Sequence, residues 1–266
     1  MLEDLEAIFV LSLPDDNERR AHVAEHFGLH GIKQFTFINA QGPTSEAVKN
    51  IYRKGLVKGY PGCFRCGEHS CYCENNILIP QQVANWVSFI GLWKRVASMS
   101  GPVLICEDDV YFYEGAFETL RLIKPALANI LSSSEALVRL GRSGLPITPG
   151  QLTNRQAVLT QQPIMSNVAH IITPGYARRL LSSLSTIAHT SDVWVHRVVP
   201  AMGTAYCVTV TPLLATDLSY NPQSARFASR IHPKGITESD MEKKAQHVKR
   251  VTSEAEYDAL VAQWIA

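Results

Sequence analysis

The stretch Pro102-Val103-Leu104-Ile105-Cys106-Glu107-Asp108-Asp109-Val110 decides the architecture. Its four successive apolar residues predict a strand buried on both faces, as parallel strands of an α/β sheet are. Three carboxylates follow at once. Open α/β sheets collect their ligands at the carboxyl ends of the strands. Three adjacent acids repel one another there, so something must compensate them. A hard divalent cation held by carboxylate oxygens and itself bound to phosphate meets that need. The alternative is a solvated acidic turn after a core strand.

The flanking sequence supplies partners for this strand. Upstream, Val83, Trp86, Val87, Ile90, Trp93, Val96 and Ala97 recur at i, i+3, i+4 and i+7, which predicts a helix with one buried stripe. The chain turns at Gly101-Pro102 into the acidic strand. Near the N-terminus Ala7-Ile8-Phe9-Val10-Leu11 reads as another buried strand. Ser12-Leu13-Pro14 leaves it, and Asp15-Asp16-Asn17-Glu18-Arg19-Arg20 opens a helix.

These pieces, in this order, resemble glycosyltransferase family 25, the lipooligosaccharide galactosyltransferase-like family. The places of the family's motifs are taken by Ser12-Leu13, Arg19-Arg20, Ser88, Leu92-Trp93 and Glu107-Asp108-Asp109. Downstream, Ile171-Ile172-Thr173-Pro174-Gly175-Tyr176-Ala177-Arg178-Arg179-Leu180-Leu181 is similar to the family's strand, small-residue turn and helix. Asp192 stands where the family has an acid before its last helix. The resemblance reaches to about residue 220, with two departures: Ser12 replaces the usual Asn, and Phe89 the usual His. It implies a GT-A-type fold and a hexosyltransferase. Such an enzyme moves a sugar from a nucleotide-sugar donor, UDP-galactose or another UDP-hexose, to a hydroxyl of a surface glycan precursor.

Bulk composition sets limits. The chain has 266 residues, 46% of them hydrophobic, enough for one sizeable core. A net charge of +1 gives no reason to expect nucleic acid as a partner. The acidic start Met1-Leu2-Glu3-Asp4-Leu5-Glu6 has no basic, apolar leader, and no run reaches the roughly 18 apolar residues of a membrane helix. The expectation is a cytoplasmic protein with at most peripheral contact at the inner face of the membrane.

Along the chain, strands are expected at about 7–12, 35–39, 102–107, 136–140, 167–172 and 204–216. Helices are expected near 15–28, 44–54, 80–99, 115–131, 174–186 and 191–199, with Pro125 bending the fourth. The alternation argues for a mixed central sheet covered by helices on both faces. A charged tail from about 222 to 266 reads as one or two amphipathic helices anchored by Trp264 and Ile265. Without repeats or a linker, the simplest count is one domain over residues 1–266.

A cysteine-rich insertion at about 60–76 holds Cys63, Cys66, Cys71 and Cys73, spaced C-x2-C-x4-C-x-C. Structural zinc, two disulfides and free thiols are all compatible with it. Cys106 and Cys207 sit in apolar runs and read as core residues.

On the transferase reading, Asp109 and Glu107 hold Mn²⁺ or Mg²⁺, and Asp108 assists at the diphosphate. Leu11, Ser12, Arg19 and Arg20 serve the donor, although for one arginine of the pair the favoured reading is a solvated first helical turn. Asp192 is the candidate general base for an inverting transfer, or else the N-cap of its helix, with His196 one turn on. His232 and His170 are candidates for a further metal ligand, and Arg139 and Arg142 for phosphate or acceptor contacts. Two rivals remain open: a CMP-activated acid sugar on the same scaffold, and a catalytically silent protein that binds a partner through the cysteine loop. A metal-dependent nuclease or phosphatase is weaker, because one acidic triplet supplies few spread-out ligands for two metals.

Overall fold

The computed structural model describes residues 2–57, 78–152, 156–203, 205–220 and 225–231, with scattered positions between 253 and 262. The cysteine insertion, His232 and most of the tail lie outside the described residues.

The described chain builds one seven-stranded sheet and a two-stranded ribbon. The strands are β1 (Ala7–Ser12), β2 (Thr36–Asn39), β3 (Val103–Glu107), β4 (Val110–Phe112), β5 (Ala136–Arg139), β6 (Val158–Thr160), β7 (Ala169–Ile172), β8 (Tyr206–Thr211) and β9 (Ala215–Asp217). The large sheet has the order β2-β1-β3-β7-β5-β8-β6, and β4 pairs with β9. β2, β1, β3, β5 and β8 run parallel to one another, whereas β7 and β6 run against them.

Strand periodicity divides the core between the two faces of the sheet. Phe9, Leu11, Val103 and Ile105 face one side, where α3 (Pro80–Ala97) and α6 (Pro174–Ser182) cover them with Trp86, Phe89, Trp93 and Tyr176. Ile8, Val10, Leu104 and Cys106 face the other side. There α1 (Asn17–Leu29) contributes Val23 and Phe27, and α4 (Ala116–Leu122) and α5 (Lys124–Leu131) contribute Phe117, Leu120 and Leu127. α2 (Glu46–Arg53) adds Val48 and Tyr52 to the α3 side.

The expected acidic strand, the N-terminal strand and the Trp-rich helix all form where the sequence places them. α3 starts on Pro80, with the Gln82 side chain accepting from the Ile79 N–H at 2.9 Å. Near Pro125 the expected helix breaks at Ile123 into α4 and α5. The single strand expected over 204–216 is instead two, β8 and β9, on different sheets, separated by Pro212, which has no N–H for a ladder. The helix expected at 191–199 begins as α7 (Ser191–Val193), widens into a π-turn over Trp194–Val198 and closes as α8 (Val199–Ala201). Among the described residues, no helix is long and apolar enough to cross a membrane.

Candidate active site

The carboxyl ends of the parallel strands open into one cleft of about 740 Å³. Leu11-Ser12-Leu13 reaches it from β1, Glu107-Asp108-Asp109 from β3, Arg142-Ser143 from the end of β5, and Thr211 from β8. The opposite wall is Asn167 before β7 and Thr190-Ser191-Asp192 at the start of α7. This is the position that parallel-sheet geometry predicts for a ligand.

The acidic triplet is not a solvated turn. Asp108 and Asp109 are each 8% exposed, and Arg19 is 5% exposed. Arg19 Nη1 donates to Asp108 at 2.7 Å and to Asp109 at 3.2 Å. Its Nη2 donates to Ser219 Oγ at 3.0 Å and to the Ala228 carbonyl at 2.8 Å. The Ser219 hydroxyl in turn donates to Asp109. Asp16 caps α1 by accepting from the Arg19 N–H, and its carboxylate also takes Arg230 Nε at 2.9 Å. The fixed guanidinium fork lets one side chain satisfy four acceptors.

Several acids remain undercompensated. Burial, then Asp109, Asp192, Asp217 and Asp108, pushes the Glu107 carboxyl well above the usual range. Asp217, at the end of β9, is raised to about 6 by burial and by Asp109, against the N–H groups of Gly144 and Tyr220, which favour its anion. Asp108 is raised by burial, partly offset by Arg19. Sequence reading missed Asp217. Its only signal is an acid closing the short apolar run Leu213-Leu214-Ala215, a weaker form of the pattern in β3.

Asp192 lines the cleft. It is not the cap of its helix, because Thr190 occupies the N-cap position. Neighbouring Ser191 donates to Asn85 at 2.6 Å and accepts from Asn167 at 2.9 Å, which ties this wall to α3 and to the start of β7.

The other expected residues divide. Leu11, Ser12 and Arg19 line the cleft, as does Arg142. Arg20 is half-buried and braces the β1 and β2 ends instead, donating to the Leu13 carbonyl at 3.1 Å and to Asn39 at 2.6 Å. Arg139 is buried and donates to the His196 carbonyl at 2.7 Å, away from the cleft. His170 is fully buried in β7, edge-on to His196 at 5.0 Å, so neither histidine faces the cleft. Phe89, at the position of the family's His, is fully buried in the core.

Among the described residues, no three His, Cys, Asp or Glu side chains already converge as a metal site. The chemistry of the donors still suits a hard cation. The described cleft lining carries five carboxyls, Glu107, Asp108, Asp109, Asp192 and Asp217, against three guanidiniums, Arg19, Arg142 and Arg230. With all five ionised the surplus is two negative charges, all on oxygen, which fits one divalent ion of the Mg²⁺ or Mn²⁺ kind.

An α/β sheet with an acidic cleft at its carboxyl edge has the architecture of a ligand-binding site. The sequence assigns the family. Residues 5–195 match the profile of glycosyltransferase family 25 (LPS biosynthesis protein), and the chain belongs to this family and is a glycosyltransferase. No curated protein matches it significantly. Among solved structures it is similar to a glycosyltransferase involved in the glycosylation of the major capsid of PBCV-1. Identity to that chain is 12% and the TM-score 0.36, over 92% of this chain and all of the other.

Proposed function

We propose that the chain, acting as one domain, transfers a hexose from a UDP-sugar, by resemblance UDP-galactose, to a hydroxyl of a bacterial surface glycan precursor. The observation that carries this reading is the convergence of Ser12, the Glu107-Asp108-Asp109 triplet and Asp192 on one cleft. The antiparallel β7 between β3 and β5, with the small β4–β9 ribbon beside the acidic strand end, supports a GT-A-type fold. The work is assigned to the cytoplasmic side of the membrane, where nucleotide-sugars are made.

Glu107, Asp109 and Asp217 would hold Mn²⁺ or Mg²⁺, which neutralises charge on a departing diphosphate. Leu11 and Ser12 floor the donor, and Arg19 holds Asp108 and Asp109 at the strand end. Asp192, across the cleft from β3, takes the proton of the attacking acceptor hydroxyl, so the reaction inverts the anomeric carbon.

The test is a donor screen by nucleotide release, with Mn²⁺ and with EDTA, on the parent and on Asp109→Asn. The reading expects release from a UDP-hexose, lost in EDTA and in the variant. Equal release in EDTA would remove the metal from the scheme. Release from a CMP-sugar alone would replace the donor, and none from any donor would overturn the proposal.

A further inference from the structure

Three histidines on α1, His22, His26 and His30, lie at four-residue spacing and stand against the strand that follows the acidic triplet. His22 Nε2 lies 3.1 Å from the Val110 carbonyl oxygen. The Phe112 N–H donates to His26 Nε2 at 2.8 Å. His30 Nε2 lies 3.2 Å from the Phe112 carbonyl oxygen.

These contacts take three polar groups along one edge of β4. On its other edge β4 pairs with β9, and the ladder continues from the Leu218 N–H to the Asp109 carbonyl and from the Tyr113 N–H to the Leu214 carbonyl. The alternation is that of an inner strand. Asp109 and Tyr113 bond toward β9, and Val110 and Phe112 turn their polar groups toward α1. Four helical residues rise about 6 Å, close to the roughly 6.8 Å of two strand residues. At that spacing His22 and His26 meet Val110 and Phe112, and His30 shares Phe112 with His26.

The protonation states follow from the partners. A backbone N–H can only donate, so His26 Nε2 carries no proton and His26 is neutral with its proton on Nδ1. His22 Nδ1 faces Arg226 Nη1 at 3.4 Å and so accepts, leaving Nε2–H to donate to Val110. His30 meets a carbonyl and donates likewise. The ladder thus reads donor, acceptor, donor against carbonyl, N–H, carbonyl. Ring packing fixes it: His22 stacks on His26 at 5.4 Å, His26 on Tyr111 at 4.8 Å, and His30 stands edge-on to Phe117 at 5.3 Å.

The ribbon that the ladder holds carries two of the cleft acids. Asp109 directly precedes β4, and Asp217 pairs with Val110. We propose that His22, His26 and His30 act as a surrogate strand against β4 and are positioning residues that set Asp109 and Asp217 in the cleft. The role in transfer rests on the function proposed above; the surrogate strand does not.

The test compares His26→Leu, which removes the acceptor, with His26→Gln, whose amide oxygen can replace it. Hydrogen exchange is read over residues 108–113 and 213–219 of the full chain, beside steady-state kinetics. His26→Leu should speed exchange in both segments and lower kcat about 10- to 100-fold, with the donor KM near the parent's. His26→Gln should restore most of both. His30→Phe, at a less buried rung, gives the same reading if His26→Leu folds poorly. Unchanged exchange in folded His26→Leu and His30→Phe overturns the surrogate strand. Faster exchange with parental kcat overturns the positioning role. A parent that releases no nucleotide overturns the transferase reading, while the exchange data still decide the strand.

Discussion

Arg19 Nη1 sits 2.7 Å from an Asp108 carboxylate oxygen, and the ion pair spans 89 positions of sequence. With Asp109 beside it at 3.2 Å, this guanidinium fastens the first turn of α1 to the end of β3. All three side chains are nearly out of solvent. Breaking the set therefore differs from breaking a surface pair. Replacing Arg19 by Met should cost about 3–5 kcal/mol, because it strands buried carboxylates. Urea unfolding of the variant measures this. A loss below about 1 kcal/mol would mean that the triplet is solvated after all.

The same burial changes the expectation for Asp109→Asn. On the solvated-turn reading the carboxylates at a strand end are exposed, and removing one leaves stability alone. In the structure Asp109 accepts from Arg19 and Ser219. Asn keeps one acceptor oxygen but loses the charge facing Arg19. Transfer should be abolished, and the unfolding free energy should fall by roughly 1–3 kcal/mol. Thermal unfolding and nucleotide release, run on one preparation, separate the two effects.

The sequence made the frame legible wherever one residue pattern had one physical meaning. The short β3 apolar run, bounded by Gly101-Pro102 and the acids, fits a doubly buried strand, and the Trp86-to-Val96 stripe a helix against it. Of the residues that line the candidate cleft, those at the ends of such elements were legible: Ser12 closing β1, Glu107-Asp108-Asp109 at the end of β3, Asp192 before the π-turn. What failed were long-range pairings. Nothing local says that Arg19 reaches across to Asp108 while Arg20 turns to Asn39. Asp217 was hidden because its strand is three residues long and belongs to a second sheet. The α1 histidines carry no pattern of their own until β4 is placed beside them.

Close approach at Gly141 offers a check on how the cleft wall is built. A Cβ there would lie 2.5 Å from Val168 Cγ1 and 2.9 Å from Ala215 Cβ. Gly141 bridges to Ala215, so the end of β5 passes directly against the start of β9. Gly141→Ala must push β9 away and shift Asp217 with it. We expect a loss of about 1–3 kcal/mol in stability together with reduced turnover. Parental unfolding and kinetics would show that this contact is looser than it looks.

Asp192 should behave differently from all of these. Its side chain neither caps α7 nor carries the ion pair, so Asp192→Asn should leave the unfolding free energy within about 0.5 kcal/mol of the parent. As general base its loss should lower kcat roughly 10²-fold or more, with donor affinity little changed. A variant that transfers at the parental rate assigns the proton to another group.

The pH dependence of stability separates the histidine ladder from the acidic cleft, because the two have opposite signs. Burial, reinforced by His30 and His22, lowers His26 to about 3. His22 and His30 are lowered by burial as well. Arg226 also lowers His22, while Asp109 and Glu25 oppose its shift and Glu118 opposes that of His30. A neutral histidine in the folded state competes with one that protonates freely below about pH 6.5 when unfolded. The ladder's contribution is therefore complete above that pH and is lost as pH falls toward 3, by about 2 kcal/mol at pH 5 for His26 alone. Glu107 and Asp217 act the other way. Their raised values mean that the folded state takes up their protons first, so acidification relieves a penalty, for Asp217 as pH falls through about 6. His26→Gln removes one titrating rung and leaves both acids in place. Its unfolding free energy should therefore fall less than the parent's between pH 7 and pH 5, by about 2 kcal/mol. Parallel curves for the two proteins would mean that His26 titrates alike folded and unfolded, and so does not accept the Phe112 N–H.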